Sequence, residues 1–583
     1  SATQIQAIVD ATKTPTPEQV RVVEAPRRPL LVVAGAGSGK TETMSMRVLW
    51  LLANHPDLTP ASILGLTFTR KAAGELGDRL RERIRLLSRE MPQMCERLDE
   101  DPVALTYNSF AERIVSEHGM RIGIDPDFSM LSEAGALDLM TQIVEAWPTD
   151  LDEELRPIDA VPQVLHLAGE LAEHGFTVER AREVLEEFGR ELEQVGRGNK
   201  ESRKAIDVNS RRIAFLGPIA AYQQRKREMG VLDFSDQLVL ATRIVREAPA
   251  VRESLREEFR AVLLDEFQDT SVIQMELLST LFGDHAVTAV GDPNQAIYGW
   301  RGASASSLET FLDRFQSGAP EAGQTLTLST AWRNDVSILD AANRVAAPLR
   351  EVASYQQGKD ALKAQSPVLV PRKGAGQGTV EIAYTQVYED ALAATVDFVK
   401  RIRSQATKDG KRRTVAVLSR RRKDFPYIDA ALREAGIPTE IVGLGGLLDQ
   451  PAVQDVRAAL ELAYDVAASP WLARLLAGID LGATDLMALG DWSRVLARSE
   501  GTNPHQAVLL DAVDSPPEPG WAAEGRPAIS EEAVRRVRLL GERLRQVREG
   551  VGRSVTEQVE RAILIMGTLD DVIADPLSMG GRA

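Results

Sequence analysis

The chain has 583 residues, a net charge of −16 and 44% hydrophobic residues. At roughly 150 residues per domain, this length predicts about four domains with sizeable cores. The acidic balance argues against nucleic-acid binding through overall charge, although a local basic track would suffice for phosphate contacts. The single cysteine, Cys95, excludes a disulfide within the chain, and no apolar run approaches the ~18 residues of a membrane span. We therefore expect a soluble, cytoplasmic protein.

The segment LLVVAGAGSGKT combines a predicted buried strand with a phosphate-binding turn. Its small residues let successive backbone N–H groups converge on a phosphate, while Lys40 adds a mobile positive charge and Thr41 a hydroxyl for Mg²⁺. The helix predicted to follow points its positive end at the same anion. A Gly-rich turn without a ligand is the alternative. The predicted phosphate-loop residues are Ala34, where the usual pattern has Gly, Gly35, Ala36, Gly37, Ser38, Gly39, Lys40 and Thr41.

Two side chains near this loop are candidates for contacts with a base. Gln19, in TPTPEQ, has an amide that matches the donor and acceptor edge of adenine, although an ordinary surface Gln is an equal alternative. Phe68 follows a predicted strand, ILGLT, and a ring at the carboxyl end of a parallel strand can stack on a base. The arginines of the helix that follows are better explained as a solvated face; they are Arg79, Arg81, Arg83 and Arg85.

The segment AVLLDEFQD places two adjacent carboxylates, Asp265 and Glu266, behind four apolar residues. The sequence therefore predicts an acidic pair at a strand end. Asp265 is suited to hold the water shell of Mg²⁺, and Glu266 to orient and deprotonate an attacking water. Acidic pairs at strand ends are common by chance, but this pair occurs in a chain that already contains a phosphate loop.

A further predicted strand, AVTAV, leads into GDPNQAIYGWRG. Gln295 can hydrogen-bond a terminal phosphate, and Tyr298 and Trp300 can stack on bases a few residues later. This segment could therefore report nucleotide state to a nucleic-acid strand. The alternative is that both aromatic side chains are buried for structural reasons.

Helical regions and a second α/β unit account for the rest of the chain. From about Asp99 to Glu228 the pattern is almost wholly helical, and Asn108, in TYNSF, could contact sugar-phosphate or belong to a capped helix start. A second α/β unit is predicted to begin with QTLTLSTAWR and to contain strands at 379–384 and 414–418.

A dense basic run lies between Arg401 and Lys423. A solvated surface is its default interpretation, and a phosphate-backbone track is the alternative. The chain beyond residue 451 is predicted to be mostly helical, with Ser530 and Ser554 capping two of its helices.

The order of these motifs resembles the UvrD/PcrA-like branch of superfamily 1 DNA helicases. The matching segments are TPEQ, AGAGSGKT, TFTRKAA, DEFQD, GDPNQAIYGWRGA and LSTAWRN. The resemblance implies an α/β fold with two RecA-like P-loop NTPase domains on parallel sheets, each with a helical insertion, the second half being incomplete. It also implies an enzyme that uses ATP and Mg²⁺ to move 3′ to 5′ along single-stranded DNA.

The resemblance implies a role for individual residues. Gln19 would contact adenine and Trp332 would stack on it, while Glu42 stands where family members often have an Arg near the base. The implied nucleotide-binding set is Gln19, residues 34–41, Glu42, Trp332 and Arg333. The implied catalytic residues are Lys40, Asp265, Glu266, Gln295 and Arg333, with Thr41 and Asp265 on the metal. The implied DNA-binding residues are Thr67, Phe68, Arg70, Asn108, Tyr298, Trp300 and Arg301.

We expect five segments of domain structure. They are 1–104 and 229–320 for the first RecA-like domain, 105–228 for its insertion, 321–450 for the second RecA-like domain and 451–583 for the second insertion. Two further family motifs, of the H-x-x-K-G-L-E and Y-V-A-x-T-R types, are not found in the sequence. We therefore expect a fragment that binds nucleotide better than it hydrolyses it, because the missing arginine is worth about 10³ to 10⁵ in rate.

More narrowly, the sequence resembles the motor subunits of actinobacterial AdnAB-type helicase–nucleases, through GLGGLLD, LGATDL and the long helical insertion. This resemblance implies a heterodimer with a paralogous AdnA-like subunit, processing of duplex DNA ends at double-strand breaks, and a nuclease domain outside this sequence. The alternatives are a stand-alone repair helicase and a structural DNA-end-binding subunit that does not hydrolyse ATP. A small-molecule P-loop kinase or GTPase would leave the aromatic platforms and helical insertions unexplained.

Overall fold

The chain forms two compact units, Ser1–Val380 and Glu381–Ala583. In the computed structural model, the described residues are 1–125, 128–149, 151, 155–195, 198–299, 302–303, 307–316, 323–355, 365–405, 410–442, 451–466, 469–499, 501 and 507–569. No helix in these ranges is both long and apolar enough to cross a membrane.

A parallel sheet of six strands, in the order β3-β2-β6-β7-β1-β8, is the centre of the first unit. The strands of the unit are β1 (Leu30–Ala34), β2 (Ile63–Thr67), β3 (Val103–Thr106), β4 (Ser129–Met130), β5 (Val231–Leu232), β6 (Ala261–Leu264), β7 (Val287–Gly291), β8 (Gln324–Leu328), β9 (Thr330–Ala331) and β10 (Val370–Pro371). Every residue of β1, β2, β6 and β7 is buried, as expected for parallel strands covered on both faces. The predicted α/β class with a parallel sheet is thus confirmed.

The first unit contains fourteen α-helices among its described residues, and some of them cover the two faces of this sheet. They are α1 (Ala2–Asp10), α2 (Pro17–Val23), α3 (Lys40–Asn54), α4 (Arg70–Glu90), α5 (Tyr107–His118), α6 (Glu133–Glu145), α7 (Pro157–Glu173), α8 (Val178–Val195), α9 (Lys200–Met229), α10 (Phe234–Glu247), α11 (Pro249–Glu258), α12 (Val272–Phe282), α13 (Ser307–Phe315) and α14 (Val336–Tyr355). Side-chain alternation in β1 divides the core, because Leu31 and Val33 pack with one cluster and Leu30 and Val32 with the other.

The helices α6 to α9 form a helical part of the first unit, which confirms the predicted helical pattern of this region, while the insertion bounds 105–228 stay a prediction. Met140, Val164, Leu216 and Tyr222 belong to a hydrophobic cluster of their own. The segment TYNSF opens α5, where the Thr106 hydroxyl accepts a hydrogen bond from the backbone N–H of Ser109. Of the two interpretations of this segment, the capped start of a helix is the one that its backbone adopts.

The strand QTLTL was expected to begin the second α/β unit, but the structure places it in the first sheet. Here β8 pairs in parallel with β1, from Leu30 opposite Gln324 to Ala34 opposite Leu328. The backbone N–H of Gly35 continues this ladder by donating to the Leu328 carbonyl at 3.1 Å. Without β8, the backbone groups on this edge of β1 would lack hydrogen-bond partners. This requirement explains why QTLTL joins the first sheet and does not begin a second one.

The second unit contains helices with three hydrophobic clusters in its described part. Its helices are α15 (Tyr388–Ser404), α16 (Phe425–Glu434), α17 (Pro451–Tyr464), α18 (Ser469–Gly478), α19 (Ala483–Ser499), α20 (Leu509–Asp514), α21 (Glu531–Arg548) and α22 (Val555–Met566). Val399 and Leu432 pack between α15 and α16, whereas α17 to α22 share a larger cluster. The predicted caps Ser530 and Ser554 accept from backbone N–H groups at the starts of α21 and α22.

The predicted strands at 379–384 and 414–418 are not strands in the described part of the second unit. Ile382, Tyr384 and Leu418 are more than nine-tenths exposed. Their apolar alternation suits a sheet, but a strand forms only where a neighbouring strand supplies its hydrogen bonds. No ladder partner for either segment lies among the described residues, so the sequence pattern alone misassigned them.

Candidate nucleotide-hydrolysis site

The phosphate loop connects β1 to the first residue of α3, Lys40. Gly37 and Gly39 adopt φ values of 73° and 81°, in the left-handed region that favours glycine. Gly39 is also the N-cap of α3, so the amide end of that helix faces the loop. Ser38 is buried, and its hydroxyl has no hydrogen-bond partner in the described structure. The loop thus combines the amide end of α3 with an unused hydroxyl, which fits a phosphate.

Two adjacent carboxylates, those of Asp265 and Glu266, come directly after β6. Asp265 is 7% exposed, and burial, reinforced by the neighbouring Glu266 carboxylate, raises its pKa to about 6. A nearby cation favours the ionised form of such a buried carboxylate, so the Asp265 side chain is suited to bind a divalent metal. Among the described residues no three acidic, His or Cys side chains form a metal cage. Mg²⁺ is usually bound by one or two carboxylates together with phosphate oxygens and water, a set to which Asp265 could contribute.

Glu266 contacts the phosphate-loop lysine directly. Lys40 Nζ lies 2.8 Å from Glu266 Oε2. Burial opposes ionisation of Glu266, but Lys40 and a hydrogen bond from Gln268 outweigh it and lower its pKa. The backbone of Glu266 has φ 49°, an uncommon value for a residue with a side chain. Lys40 is therefore shared between this carboxylate and any phosphate that enters the loop.

A hydrogen-bonded chain continues from Glu266 to the turn after β7. Gln268 Nε2 donates to Glu266 Oε2 at 2.9 Å, and Gln268 Oε1 accepts from the Asp292 backbone N–H at 3.0 Å. Gln295 Nε2 donates to Asp292 Oδ2 at 2.7 Å. Gln268 and Asp292 were not singled out from the sequence, although both occur inside the motifs DEFQD and GDPNQ.

The residues predicted to contact the base gather around Gly39. A β-carbon built on Gly39 would lie 3.3 Å from Gln19 Nε2, 3.6 Å from Trp332 Cδ1 and 3.9 Å from Glu42 Cβ. Gln19 is buried and already engaged, because its Oε1 accepts from the Thr16 backbone at 3.0 Å and its Nε2 donates to Thr43 Oγ1 at 3.2 Å. Only part of its hydrogen-bonding capacity is thus left for a ligand.

Arg333 and Arg83 also border the phosphate loop. A β-carbon built on Gly37 would lie 3.1 Å from Arg333 Cβ, so this exposed arginine emerges beside the loop. Arg83 was expected on a solvated face, but its side chain is 12% exposed and forms an ion pair with Glu42. This expectation was wrong for Arg83 because the acidic residue in the first turn of α3 draws the guanidinium against the loop.

The predicted DNA-binding residues divide into three groups. Phe68 and Tyr298 lie together, with ring centroids 4.7 Å apart. Thr67 is wholly buried, Arg70 is exposed, and Asn108 Oδ1 accepts a hydrogen bond from Gln274 Nε2 at 3.1 Å. Trp300 and Arg301 lie outside the described residues. The structure thus forms one aromatic pair from segments that are far apart in sequence, directly after β2 and after the Gln295 turn.

Part of the basic run of the second unit lines an open cleft. Its walls are formed by Lys400, Arg403, Ser404, Gly410, Lys411, Arg412 and Ile437. The four cationic side chains converge although the chain as a whole is strongly acidic. Both interpretations of the run, a solvated surface and a phosphate-backbone track, are compatible with this arrangement.

Comparison with known proteins places this site in a family. Residues 15–316 match the UvrD/REP helicase N-terminal domain. DNA helicase II of Escherichia coli is 28% identical over 448 residues, which cover 76% of this chain and 54% of that protein. The ATP-dependent DNA helicase PcrA of Staphylococcus aureus is 25% identical over 456 residues, covering 76% of this chain and 53% of that protein.

The chain spans about half the length of the curated relatives it matches. The matched domain nevertheless contains the phosphate loop, both carboxylates after β6 and the Gln295 turn. The chain belongs to the UvrD/REP helicase family.

Proposed function

We propose that this protein hydrolyses ATP and uses the energy to move 3′ to 5′ along single-stranded DNA, separating duplexes as it moves. The observation that carries the proposal is the contact between Lys40 and Glu266, 2.8 Å apart, at the carboxyl ends of two strands of one parallel sheet. Ligands of open parallel sheets bind at this edge. A phosphate-binding cation and a carboxylate base are thereby placed on the same reacting group.

Each residue of the site has a role in this proposal. The N–H groups of residues 36, 37 and 39–41 and the Lys40 ammonium would hold the phosphates, while Thr41 and Asp265 would hold Mg²⁺; the Gly35 and Ser38 N–H groups are already bonded to backbone carbonyls. Bound Mg²⁺ would neutralise charge that develops on the phosphate oxygens. Glu266 would orient and deprotonate the attacking water, and Gln295 and Arg333 would contact the terminal phosphate. Gln19 and Trp332 would position the adenine.

DNA would stack on the aromatic pair Phe68 and Tyr298. The pair follows both the β2 strand end and the Gln295 turn, which supports a direct connection between nucleotide state and the DNA track. Trp300, Arg301, Arg70, Thr67 and Asn108 complete the proposed DNA-binding set. Asn108 would have to release Gln274 to contact DNA, because its side-chain oxygen is engaged.

Replacing Phe68 with Ala should weaken binding of single-stranded DNA by roughly 5- to 150-fold, because stacking contributes about 1–3 kcal/mol per base. ATP affinity should change little, since Phe68 follows β2, and two strands, β6 and β7, lie between β2 and β1, the strand that leads into the phosphate loop. Fluorescence anisotropy with labelled oligothymidine measures the change. Phe188→Ala, at a half-exposed aromatic position on α8, is the matched control. Equal DNA affinity of Phe68→Ala and the control would contradict a stacking role.

The finer proposal is a motor subunit that works at double-strand breaks with a paralogous helicase–nuclease partner, in the cytoplasm. Its support is the resemblance to AdnAB-type motors through LGATDL, which spans the turn into α19, and GLGGLLD, which lies outside the described residues. The alternatives are a stand-alone repair helicase and a DNA-end-binding subunit without hydrolysis. Lys40, Asp265, Glu266, Gln295 and Arg333 are all present, which favours a hydrolysing motor over the last alternative.

The direction of movement is tested with two partial duplexes that differ only in the polarity of their single-stranded tail. With ATP and Mg²⁺, the full-length protein should separate the 3′-tailed duplex and leave the 5′-tailed duplex largely intact. Lys40→Ala, in the same preparation, should separate neither. Preferential unwinding of the 5′-tailed duplex would contradict the proposed polarity, and equal failure on both tails with the wild type would contradict unwinding itself.

A further inference from the structure

The Gln268 side chain makes three hydrogen bonds beside the two carboxylates. It is 2% exposed and lies in the short turn that follows β6. Its Nε2 donates to Glu266 Oε2 at 2.9 Å and to Asp269 Oδ2 at 3.1 Å. Its Oε1 accepts from the Asp292 backbone N–H at 3.0 Å. One amide therefore connects the general-base carboxylate to the turn after β7.

The chemistry of these partners fixes the orientation of the amide. A backbone N–H can only donate, and an ionised carboxylate can only accept. Rotating the amide by 180° would place Nε2 against the Asp292 N–H and Oε1 against two carboxylates. An amide is thus the one side-chain group of this length that satisfies both sides at once.

Glu266 needs such a partner because Lys40 cannot hold it throughout a reaction cycle. In the described structure, Glu266 Oε2 has side-chain partners only in Lys40 and Gln268. When Lys40 turns to a phosphate, Gln268 remains as the donor that sets the carboxylate direction. A general base acts only within hydrogen-bond reach of the proton it removes, so this direction decides the rate.

The oxygen end of the Gln268 amide contacts Asp292, the residue whose carboxylate is hydrogen-bonded to Gln295. Asp292 is buried, and its carboxylate accepts from Gln295 Nε2 at 2.7 Å and from the Asn294 backbone at 3.0 Å. Gly291 permits the close approach, because a β-carbon there would lie 2.8 Å from Gln268 Oε1. Gln268 therefore holds Glu266 and the Gln295 turn in one fixed arrangement.

We propose that Gln268 is a positioning residue that sets the Glu266 carboxylate for water activation and couples it to the Gln295 turn. The inference rests on the proposed ATP hydrolysis. It goes beyond that proposal by assigning a function to a side chain that contacts neither the phosphate loop nor the proposed metal ligands in the described structure.

The test compares Gln268→Met with Gln237→Met in the purified full-length protein, with saturating single-stranded DNA. Both glutamines are almost fully buried, but Gln237 lies on α10, where its Nε2 contacts Met130 Sδ. Gln268→Met should lower kcat for ATP by about 100-fold, the contribution of one well-placed general base. The KM for ATP should stay close to the wild-type value, because the phosphate loop and Lys40 are untouched. Gln237→Met should retain the wild-type kcat.

A second variant and a binding measurement keep structural damage separate from positioning. Gln268→Glu keeps the shape of the side chain but cannot donate to two carboxylates, so it should lose at least as much kcat as Gln268→Met. Titration with a fluorescent ATP analogue should give the same stoichiometry for all variants that fold. If the wild type itself hydrolyses no ATP, the proposed function fails. If the wild type is active and either Gln268 variant that folds retains its kcat, the positioning role is overturned.

Discussion

Replacing Glu266 with Gln should lower kcat for ATP hydrolysis by about 10² to 10⁴-fold, the range typical of a lost general base. Nucleotide affinity should stay equal or increase, because Lys40 would no longer be divided between this carboxylate and the phosphates; the two groups now lie 2.8 Å apart. Steady-state phosphate release gives kcat, and a fluorescent ATP analogue gives the affinity.

Glu247→Gln is the matched control for this variant. Glu247 is a half-exposed carboxylate on α10 that pairs with Arg243 on its own helix, outside the site. Its replacement should leave kcat unchanged, since exposed ion pairs of this kind contribute about 0.3–0.5 kcal/mol to stability and nothing to the reaction. Glu266→Gln with a wild-type kcat would contradict the assignment of Glu266 as the base.

Replacing Arg47 with Met should destabilise the first unit by about 3–5 kcal/mol, because several buried carbonyl oxygens would lose their donor. The Arg47 side chain is 1% exposed, and burial lowers its pKa to about 10. Arg47 lies on α3, and its guanidinium joins this helix to two other elements. It donates to Thr288 Oγ1 on β7 at 2.9 Å and to backbone carbonyls at the end of α2. The carbonyl acceptors are those of Val22, Val23, Ala25 and Pro26.

The change is measured as the shift of the denaturation midpoint, with Arg85→Met as the control. Arg85 is an exposed arginine on α4, so its replacement should alter stability by less than about 0.5 kcal/mol. Because Arg47 holds the end of the helix that carries Gln19, Arg47→Met should also raise the KM for ATP in protein that remains folded. Equal midpoints for Arg47→Met and Arg85→Met would contradict this account of the buried arginine.

The strands that carry the site were predictable because their signals are local. Four apolar residues followed by a polar turn mark both β1 and β6, and both polar turns lie at the same edge of the sheet. The distance between Lys40 and Glu266 was not predictable, because 226 residues separate them in the sequence. Only the strand order, with β7 between β6 and β1, brings them together.

The errors have a common physical cause, which is that sequence patterns do not specify partners. The strand QTLTL has strand periodicity, but the free edge of β1 decides that it joins the first sheet. Arg83 occupies a position with several neighbouring arginines, but only Arg83 meets Glu42. Arg47, inside MSMRVLW, gives no signal of burial, because a charged residue is buried only when acceptors converge on it.

ATP hydrolysis that depends on DNA is the activity expected of this site, and phosphate release measures it. Phosphate release by the full-length protein is followed with ATP and Mg²⁺, with and without saturating single-stranded DNA. We predict slow release without DNA, a marked increase with DNA, and loss of both rates in Lys40→Ala. Release that is indifferent to DNA would contradict a motor and favour a small-molecule P-loop enzyme, and no release in either condition would favour a structural DNA-end-binding subunit.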